Sequence, residues 1–400
     1  MMSASRPTPL IAVACGGTGG HFFPGLALAE ELSVRGCEVL LLVSPKEIDQ
    51  QVGASAVGMS IATLPAVAWK RGETRKFFGG LRGAWRKSRE LFRERRPAAV
   101  ISMGGFTGVA PVFAAWRGGS ATFLHEANSI PGRANRWLAH LVQEAFVFFP
   151  EAAGRLSHPQ VRVTGMPVRL QFQPGDPEPC RAALGLHPRR PVLLVTGGSQ
   201  GATPLNEAML AALPELRELE PDLQYLHLTG PADVERVRSA YAGSGARAIV
   251  RPFLTEMELA LGAAAVVLGR AGASALAELA AMRIPAVLVP YPAAADNHQY
   301  YNARAFADSG AARLLEQRDA QPARLIQEIR GLLRDETRLH GMRTALRQWF
   351  FADAAQAMAD KIVRGLPQWA GRPLAAPTVT PPPRPRSRPA VAPFKPVNRA

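Results

Sequence analysis

The sequence predicts an α/β protein built from two doubly wound, Rossmann-like domains that face each other across a cleft. Short apolar runs recur along the chain, and each is followed by a glycine or polar turn and then by a helical pattern. Continuous apolar strands that alternate with helices are typical of parallel sheets covered on both faces. The pattern restarts at Pro191, after a stretch rich in proline and glycine at 171–191. A length of 400 residues also suits two domains better than one.

The predicted strands form two sets on either side of this stretch. Those of the first half are Leu10–Cys15, Val39–Ser44, Ala99–Ser102, Thr122–His125, Ala145–Phe149 and Val161–Thr164. Those of the second half are Val192–Thr196, Leu223–Leu228, Ala248–Val250, Ala264–Leu268 and Ala286–Val289. A helical pattern from Gln321 to Arg364 follows the last of them. We therefore expect a first domain at 8–168 and a second at 169–366, whose last helix packs back on the first domain.

Excess positive charge is concentrated in two segments. The net charge is +15, and the segments Trp69–Arg96 and Pro367–Ala400 carry fourteen of these charges. Two local patches suit a protein that meets an anionic membrane at one edge. A nucleic-acid-binding protein more often spreads its basic residues over a folded face, so we expect no nucleic-acid partner. The segment at 367–400 holds ten prolines among arginines, and we expect a disordered basic tail there.

Apolar runs and cysteines indicate the compartment. The longest apolar runs are far too short to span a bilayer, and the polar start of the chain does not resemble a signal peptide. Cys15, Cys37 and Cys180 lack CxxC spacing and cannot all pair. We therefore expect a reducing cytoplasm and no structural metal.

Three glycine-rich turns follow predicted strands. They read GGTGGH at 16–21, GGF at 104–106 and GGSQGA at 197–202. Glycine permits tight turns and a close approach of ligand, and the N-terminus of a following helix favours negative charge. The first turn matches neither the spacing of an NAD-binding loop nor a P-loop. Glycine turns at strand ends in both halves predict a binding cleft between the two domains.

The second half also carries groups suited to a nucleotide sugar. Residues 270–279 read RAGASALAEL after a predicted strand, so first-turn amides are available for phosphate or sugar oxygens. Glu278 lies about one turn further on, where a carboxylate can accept two ribose hydroxyls. Asp296 to Gln299 concentrate side-chain amides and an imidazole where sugar hydroxyls can be recognised.

Taken together, the motifs resemble those of the MurG family. They occur in the order GGTGGH, HEANSIPGRAN (125–135), TGMPVR (164–169), GGSQGA, RAGASALAEL and DNHQYYNA (296–303). The resemblance covers roughly residues 8–365. It implies a GT-B fold and the inverting transfer of GlcNAc from UDP-GlcNAc to the MurNAc 4-hydroxyl of lipid I (undecaprenyl-pyrophosphoryl-MurNAc-pentapeptide), which gives lipid II for peptidoglycan synthesis. It further implies a peripheral location on the cytoplasmic face of the bacterial cell membrane, beside other cell-wall synthesis proteins.

The family's UDP-GlcNAc contacts can be carried over by position. They fall on Thr18, Gly19, Gly20, Asn128, Arg169, Ser199, Leu254, Ala273, Ser274, Ala275, Leu276, Ala277, Glu278 and Gln299. The chain departs from the usual pattern at Ala277, where the family usually has a serine. It also departs at Phe106, where a tyrosine is usual. These departures affect individual hydrogen bonds rather than the expected activity.

The expected reaction needs a base at the acceptor hydroxyl and stabilisation of the departing diphosphate. His21 is the first candidate for the base, and Glu126 is the second. The alternative that His21 only binds the acceptor pyrophosphate or caps its helix stays open. Because no DxD motif occurs, we expect neither a metal nor a cofactor. Helix-start amides near Ser199 and Ala273, with Arg169, would then stabilise the leaving group.

Four apolar residues recur at helical spacing inside the first basic segment. Phe77, Phe78, Leu81 and Trp85 are flanked by lysines and arginines, a pattern typical of a helix at an anionic bilayer surface. We expect these residues to contact the membrane. The alternative is that some of them face the sheet of their own domain.

Two other enzyme classes remain alternatives. One is a UDP-GlcNAc 2-epimerase, which can share the GT-B fold but needs no lipid-facing patch. The other is a GT-B glycosyltransferase that acts on a different glycolipid, and the segment 125–135 argues against it.

Overall fold

The computed structural model describes residues 8–46, 58–67 and 72–366. The predicted tail at 367–400, and the first three residues of the basic segment 69–96, lie outside these ranges. Within them the chain forms two sheets, one in each half.

The first half contains a parallel sheet with helices on both faces. Its strands are β1 (Leu10–Ala14), β2 (Glu38–Val43), β3 (Ser60–Thr63), β4 (Ala99–Ser102), β5 (Ala121–Glu126), β6 (Glu144–Val147) and β7 (Val161–Val163). Its helices are α1 (Gly19–Val34), α2 (Thr74–Glu94), α3 (Val109–Arg117), α4 (Arg133–Leu138) and α5 (Pro150–Ala153). A 3₁₀ turn, Phe106–Gly108, precedes α3.

A second parallel sheet follows. Its strands are β8 (Val192–Thr196), β9 (Gln224–Leu228), β10 (Ala248–Arg251), β11 (Val266–Gly269), β12 (Ala286–Leu288) and β13 (Arg313–Leu314). The helices of this half are α6 (Pro177–Ala183), α7 (Thr203–Leu219), α8 (Val234–Ser244), α9 (Met257–Ala263), α10 (Ala273–Met282), α11 (His298–Asp308), α12 (Pro322–Leu333), α13 (Glu336–Leu346) and α14 (Ala354–Arg364). Three 3₁₀ turns, Ala295–Asn297, Gln317–Asp319 and Arg347–Trp349, connect some of them.

Strand order confirms the predicted doubly wound fold. The described strands run β3-β2-β1-β4-β5-β6-β7 in the first sheet and β10-β9-β8-β11-β12-β13 in the second. Neighbouring strands pair in parallel throughout, for example β1 with β4 and β8 with β11. The order reverses beside β1 in one sheet and beside β8 in the other. Ligands of such sheets bind outside the carboxyl ends of the strands at these reversal points.

The chain crosses between the two sheets twice. The first crossing follows β7, and the second lies between α13 and α14. The two crossings are in contact, because Phe351 of the second packs against Gly165 of the first. Gly165 has a φ of 79° and no Cβ, which leaves room for the Phe351 ring. An aromatic cluster packs beside them: the ring of Trp349 stacks on Phe306 of α11 at 4.5 Å and lies 5.3 Å from Phe149, which follows β6.

The last helix packs against the first domain rather than the second. Met358 and Ile362 of α14 are buried in one apolar cluster with Phe22 of α1. Arg35 Nε, just beyond α1, donates to Asp360 Oδ1 at 2.6 Å. The last helix thus returns to the first half of the chain, as expected, and the division at residues 168/169 stays a prediction. In the described part of the chain, no helix is long and apolar enough to cross a membrane.

Candidate active-site cleft

The glycine turns of the two halves meet where both strand orders reverse. GGTGGH at 16–21 follows β1 and opens α1, while Gly272 caps the start of α10 after β11. A Cβ at Gly20 would lie 3.8 Å from the Ser274 Cβ, so the two helix starts face each other. Each helix start carries partial positive charge and backbone donors. Their meeting creates a cleft suited to phosphate groups on both sides.

Helix α10 offers its first-turn amides to the cleft. The first N–H bonded inside the helix is that of Leu276, which donates to Gly272 O at 3.0 Å. The N–H groups of Ala273, Ser274 and Ala275 precede it and have no acceptor within the helix. The side chains of Leu276 and Ala277 are buried in the core. A ligand at this helix start would therefore meet Ala273 to Ala275 first.

Glu278 and Arg169 come together from different parts of the chain. Burial raises the pKa of Glu278 to about 7, against the opposing effect of the nearby Arg169 charge. A hydrogen bond from Ser274 also lowers this pKa, and the Glu258 charge raises it. Near neutral pH the Glu278 carboxyl therefore exchanges between its neutral and ionised forms.

Arg169 itself is held by one aromatic ring of α1 and one of the first crossing. Its guanidinium carbon lies 4.3 Å from the centre of the Phe23 ring and 5.1 Å from that of Phe172. Its Nε is buried and has no hydrogen-bond partner among the residues that the structure describes. Cation–π contact on both rings fixes the guanidinium where it can reach an anionic ligand in the cleft.

The second-half glycine turn is fixed against the end of β9. Gly201 has a φ of 75°, and a Cβ there would clash with the carbonyl oxygen of Thr229. This close approach leaves Ser199 partly exposed at the tip of the turn. Leu254 is buried beyond the end of β10, the strand that neighbours β9. Ser199 thus lies in the loop after β8, and Leu254 lies in the loop after β10. These two strands flank β9 in the second sheet.

Gln299 lies in the first turn of α11 with one end of its amide already bonded. Its Oε1 accepts a hydrogen bond from the Tyr291 backbone N–H at 3.0 Å. This contact orients the amide and leaves the NH₂ group to donate to a ligand hydroxyl. His298 beside it is held through Nδ1 at 2.8 Å from Ala295 O.

His21 lies between two glycine turns of the first half. Its Nδ1 is 3.1 Å from Thr18 Oγ1 within the first turn. Gly104 and Gly105 have φ values of 106° and 73°, and a Cβ at either position would come within about 3.1 Å of the imidazole. The glycines after β4 therefore give the imidazole its position above the carboxyl end of the sheet.

Glu126 is buried at the end of β5, and the loop that follows occupies its carboxylate. Oε1 accepts from the backbone N–H of Asn128 at 2.8 Å, and Oε2 accepts from Gly132 N at 2.9 Å and from Asn135 Nδ2 at 2.8 Å. Burial raises the pKa of Glu126, and these hydrogen bonds oppose that effect. The geometry favours a role in shaping the loop 126–135 over the predicted role as second base.

Lys46 is a site residue that the sequence did not indicate. It follows β2, and its Nζ donates to Gly17 O at 2.8 Å. The same ammonium lies 5.4 Å from the centre of the Phe106 ring. A cation therefore sits at the first glycine turn, next to the residue that departs from the family's usual tyrosine. Little in the sequence indicated this role, because Lys46 is only a lysine that follows β2, the strand next to β1.

The predicted membrane residues line one face of α2. Phe78 is 60% exposed, while Phe77, Leu81 and Trp85 are partly buried. An apolar groove of about 460 Å³ runs between α2 and α3. Its lining comprises Phe78, Leu81, Arg82, Trp85, Val109, Ala110, Phe113 and Trp137. Trp85 also borders a neighbouring pocket of about 370 Å³ that four arginines line. Those arginines are Arg89, Arg93, Arg96 and Arg117.

Metal ligands do not cluster in the described ranges, where no group of three or more His, Cys, Asp or Glu side chains could hold an ion.

Comparisons with known proteins point to one family. Residues 11–147 match the glycosyltransferase family 28 N-terminal domain, and residues 192–358 match its C-terminal domain. The chain is 37% identical over 364 residues to a UDP-N-acetylglucosamine–N-acetylmuramyl-(pentapeptide) pyrophosphoryl-undecaprenol N-acetylglucosamine transferase of Anaeromyxobacter dehalogenans, covering 87% of this chain and 91% of that protein. An enzyme of the same name from Moorella thermoacetica is 36% identical over 370 residues, covering 88% and 98%.

Solved structures agree with this family and with the fold. The crystal structure of Acinetobacter baumannii MurG matches with a TM-score of 0.69 and 27% identity, covering 89% of this chain and 99% of that one. A UDP-N-acetylglucosamine 2-epimerase matches with a TM-score of 0.67 at 15% identity, covering 89% and 96%. The second likeness concerns the fold alone.

Proposed function

The chain belongs to the MurG family of N-acetylglucosaminyltransferases, and from this premise we propose that it transfers GlcNAc from UDP-GlcNAc to the MurNAc 4-hydroxyl of lipid I, giving lipid II with inversion at the anomeric carbon. The meeting of the α1 and α10 helix starts carries the proposal, because a transfer between two diphosphate-bearing substrates needs anion sites on both sides of one cleft.

Donor binding falls mainly to the second domain. The first-turn amides of α10 and the turn at Ser199 hold the diphosphate, and Glu278 accepts the two ribose hydroxyls. The loop at Leu254 contacts uracil through its backbone. Gln299 donates its oriented NH₂ group to a hydroxyl of GlcNAc.

First-domain residues complete the donor site. Thr18, Gly19, Gly20 and Asn128 approach the sugar from across the cleft. Arg169, fixed between two aromatic rings, adds positive charge as negative charge develops on the leaving UDP.

The acceptor enters at the first-domain turns. Its pyrophosphate lies at the start of α1, with the Lys46 ammonium beside it. His21 then takes the proton from the MurNAc 4-hydroxyl as that oxygen attacks the anomeric carbon and the bond to UDP breaks. Glu126 acts indirectly, by holding the loop that carries Asn128.

Product analysis tests this assignment. Incubated with UDP-GlcNAc and a lipid I analogue, the enzyme should release UDP and add one N-acetylhexosamine to the analogue, as seen by mass spectrometry. Omitting the analogue should abolish UDP release. A 2-epimerase would instead convert UDP-GlcNAc without an acceptor, and a glycosyltransferase for another glycolipid would leave the analogue unmodified, so either result would contradict the proposal.

We further propose that the enzyme works as a peripheral protein at the cytoplasmic face of the cell membrane, where lipid I is its acceptor. The apolar groove between α2 and α3 suits lipid chains, and exposed Phe78 suits insertion among them. The adjoining four-arginine pocket suits anionic headgroups. The groove and the pocket both lie on the first domain, to which we assign the acceptor.

Membrane binding should depend on the apolar groove. The double variant Phe78→Ser plus Trp85→Ser is expected to lower the partition coefficient onto anionic vesicles by about 100-fold or more, because each lost aromatic contact removes roughly 1.5–3 kcal/mol of burial. Vesicle cosedimentation measures this loss.

Two single variants complete that experiment. Val34→Ser removes an apolar side chain of similar exposure, 50% against 60% for Phe78, at the end of α1 and outside the groove lining, and should bind as the wild type does. Phe78→Ser alone alters an exposed residue and should show an intermediate loss. Unchanged vesicle binding in the double variant would rule out the groove as the membrane contact.

A further inference from the structure

Asn302 is a buried polar residue between the two domains. It lies on α11 and has no exposed surface. Its Nδ2 donates to Asn128 Oδ1 at 3.0 Å and to Ala271 O at 3.2 Å. Its Oδ1 accepts from the Ser129 backbone N–H at 2.9 Å. One side chain thus bonds the first-domain loop 126–135 and the second-domain segment that leads into α10.

Asn302 lies beside three parts of the donor site and bonds two of them. Asn128 is a proposed sugar contact, and Ala271 precedes the α10 start by two residues. Gln299 lies three positions before Asn302 and therefore on the same face of α11. These parts come from two domains, and the Asn302 carboxamide joins Asn128 of one to Ala271 of the other.

The hydrogen bonds also fix how both amides are oriented. Asn302 must present its oxygen to the Ser129 N–H, so its NH₂ group faces the two carbonyl oxygens. Asn128 directs its own NH₂ group to Glu126 Oε1 at 3.2 Å, which leaves its oxygen for Asn302. A flip of the Asn302 amide would break all three of its bonds, and a flip of the Asn128 amide would break its bonds to Asn302 and Glu126, so Asn302 and Glu126 together fix how Asn128 is oriented.

Other contacts cross the same interface at more exposed positions. Arg136 Nη2 lies 2.9 Å from Asp296 Oδ2, and both side chains are a third or more exposed. Arg155 lies 5.8 Å from the centre of the Tyr301 ring. Exposed ion pairs are screened by water and contribute little, whereas a buried group left without its partner is costly. The interface therefore depends far more on Asn302 than on its charged rim.

We propose that Asn302 is a positioning residue for the transfer reaction: it holds Asn128, on the first-domain loop, against the segment that leads into α10, in the arrangement that GlcNAc needs. This inference rests on the proposed function. Because the proposed contacts to uracil, ribose and diphosphate come mainly from the second domain, loss of the bond to Asn128 should affect the placement of the sugar far more than the binding of UDP.

Three variants separate positioning from general stabilisation. Asn302→Ala removes all three bonds. Asn302→Asp keeps the shape and the acceptor for Ser129 but sets a carboxylate against two carbonyl oxygens. Arg136→Gln removes a contact across the same interface and is the matched control.

Kinetics with UDP-GlcNAc and a lipid I analogue, together with calorimetric titration of UDP, provide the test. Both Asn302 variants should lower kcat/KM for UDP-GlcNAc by about 10- to 100-fold, the size expected for an unpaired buried polar group, while UDP affinity changes less than about threefold. Arg136→Gln should stay within about twofold of the wild type. UDP binding also shows that each variant is folded.

A double-mutant cycle with Asn128→Ala identifies the route of the effect. If Asn302 acts through Asn128, the variant lacking both side chains should be no worse than the poorer single variant, within about twofold. The proposal would be overturned if the losses of kcat/KM in the two single variants multiplied in the double variant. It would also be overturned if UDP affinity fell as much as kcat/KM, or if Arg136→Gln showed a comparable defect. Absence of transfer by the wild type would instead overturn the proposed function itself.

Discussion

His21→Ala is expected to lower kcat by about 10²- to 10⁴-fold, the usual contribution of a general base. The imidazole lies between the turn at 16–21 and the glycines after β4, on the acceptor side of the cleft. The donor contacts proposed for Glu278 and Gln299 come from the other domain. UDP-GlcNAc affinity should therefore change less than about threefold, which equilibrium titration measures alongside single-turnover rates.

The same variant decides between the two roles considered for His21. A base affects the chemical step, so kcat falls while KM for the lipid acceptor stays nearly constant. A residue that only binds the acceptor pyrophosphate would instead raise that KM. His140→Ala, which removes an exposed histidine of the same domain, is the control and should leave kcat and KM unchanged. Near-normal turnover of His21→Ala would exclude it as the base.

Glu278→Gln is expected to weaken UDP binding about 10²-fold, because two hydrogen bonds to an ionised carboxylate become bonds to a neutral amide that can accept only at one atom. Wild-type binding should also depend on pH. The pKa of Glu278 is raised to about 7 by burial, and only the ionised form accepts both ribose hydroxyls. UDP affinity should therefore be full above pH 7 and fall about tenfold for each pH unit below it.

Titrations of UDP between pH 5.5 and 8.5, about 1.5 units on either side of the expected midpoint, check this dependence. Glu278→Gln should abolish it. Glu258→Gln provides a sharper control, because the Glu258 charge raises the Glu278 pKa and its removal should move the midpoint to lower pH. A pH profile that is flat in the wild type, or unchanged in Glu278→Gln, would exclude Glu278 as the ribose acceptor.

Much of the fold could be predicted because its central strands are buried on both faces and therefore read as continuous apolar runs. The edge strands β3 and β13 were missed for the opposite reason. Ser60–Thr63 is mostly exposed and Arg313–Leu314 is two residues long, so neither has the apolar pattern of a central strand. The single helical pattern predicted from Gln321 to Arg364 is in fact three helices, α12 to α14, separated by short turns.

The candidate site could be predicted only where it is local in sequence. Glycine turns lie next to the strands that they follow, so spacing alone located them. Lys46 reaches a carbonyl 29 residues away, and Asn302 reaches Asn128 across 174 residues. Such pairs depend on how strands and domains are arranged. The hydrogen bonds that occupy the Glu126 carboxylate could not be predicted either, because their donors lie in a loop whose path does not follow from the sequence.

The return of α14 to the first domain has a consequence for biosynthesis. Domains usually fold as units, the N-terminal one first, while the chain is still being made. Here the apolar cluster around Phe22 and Leu32 of α1 is closed by Met358 and Ile362, which are made only after every strand of the second sheet. The first domain is therefore completed only after the second sheet has been made. Until then α1 presents an apolar surface of the kind that chaperones bind.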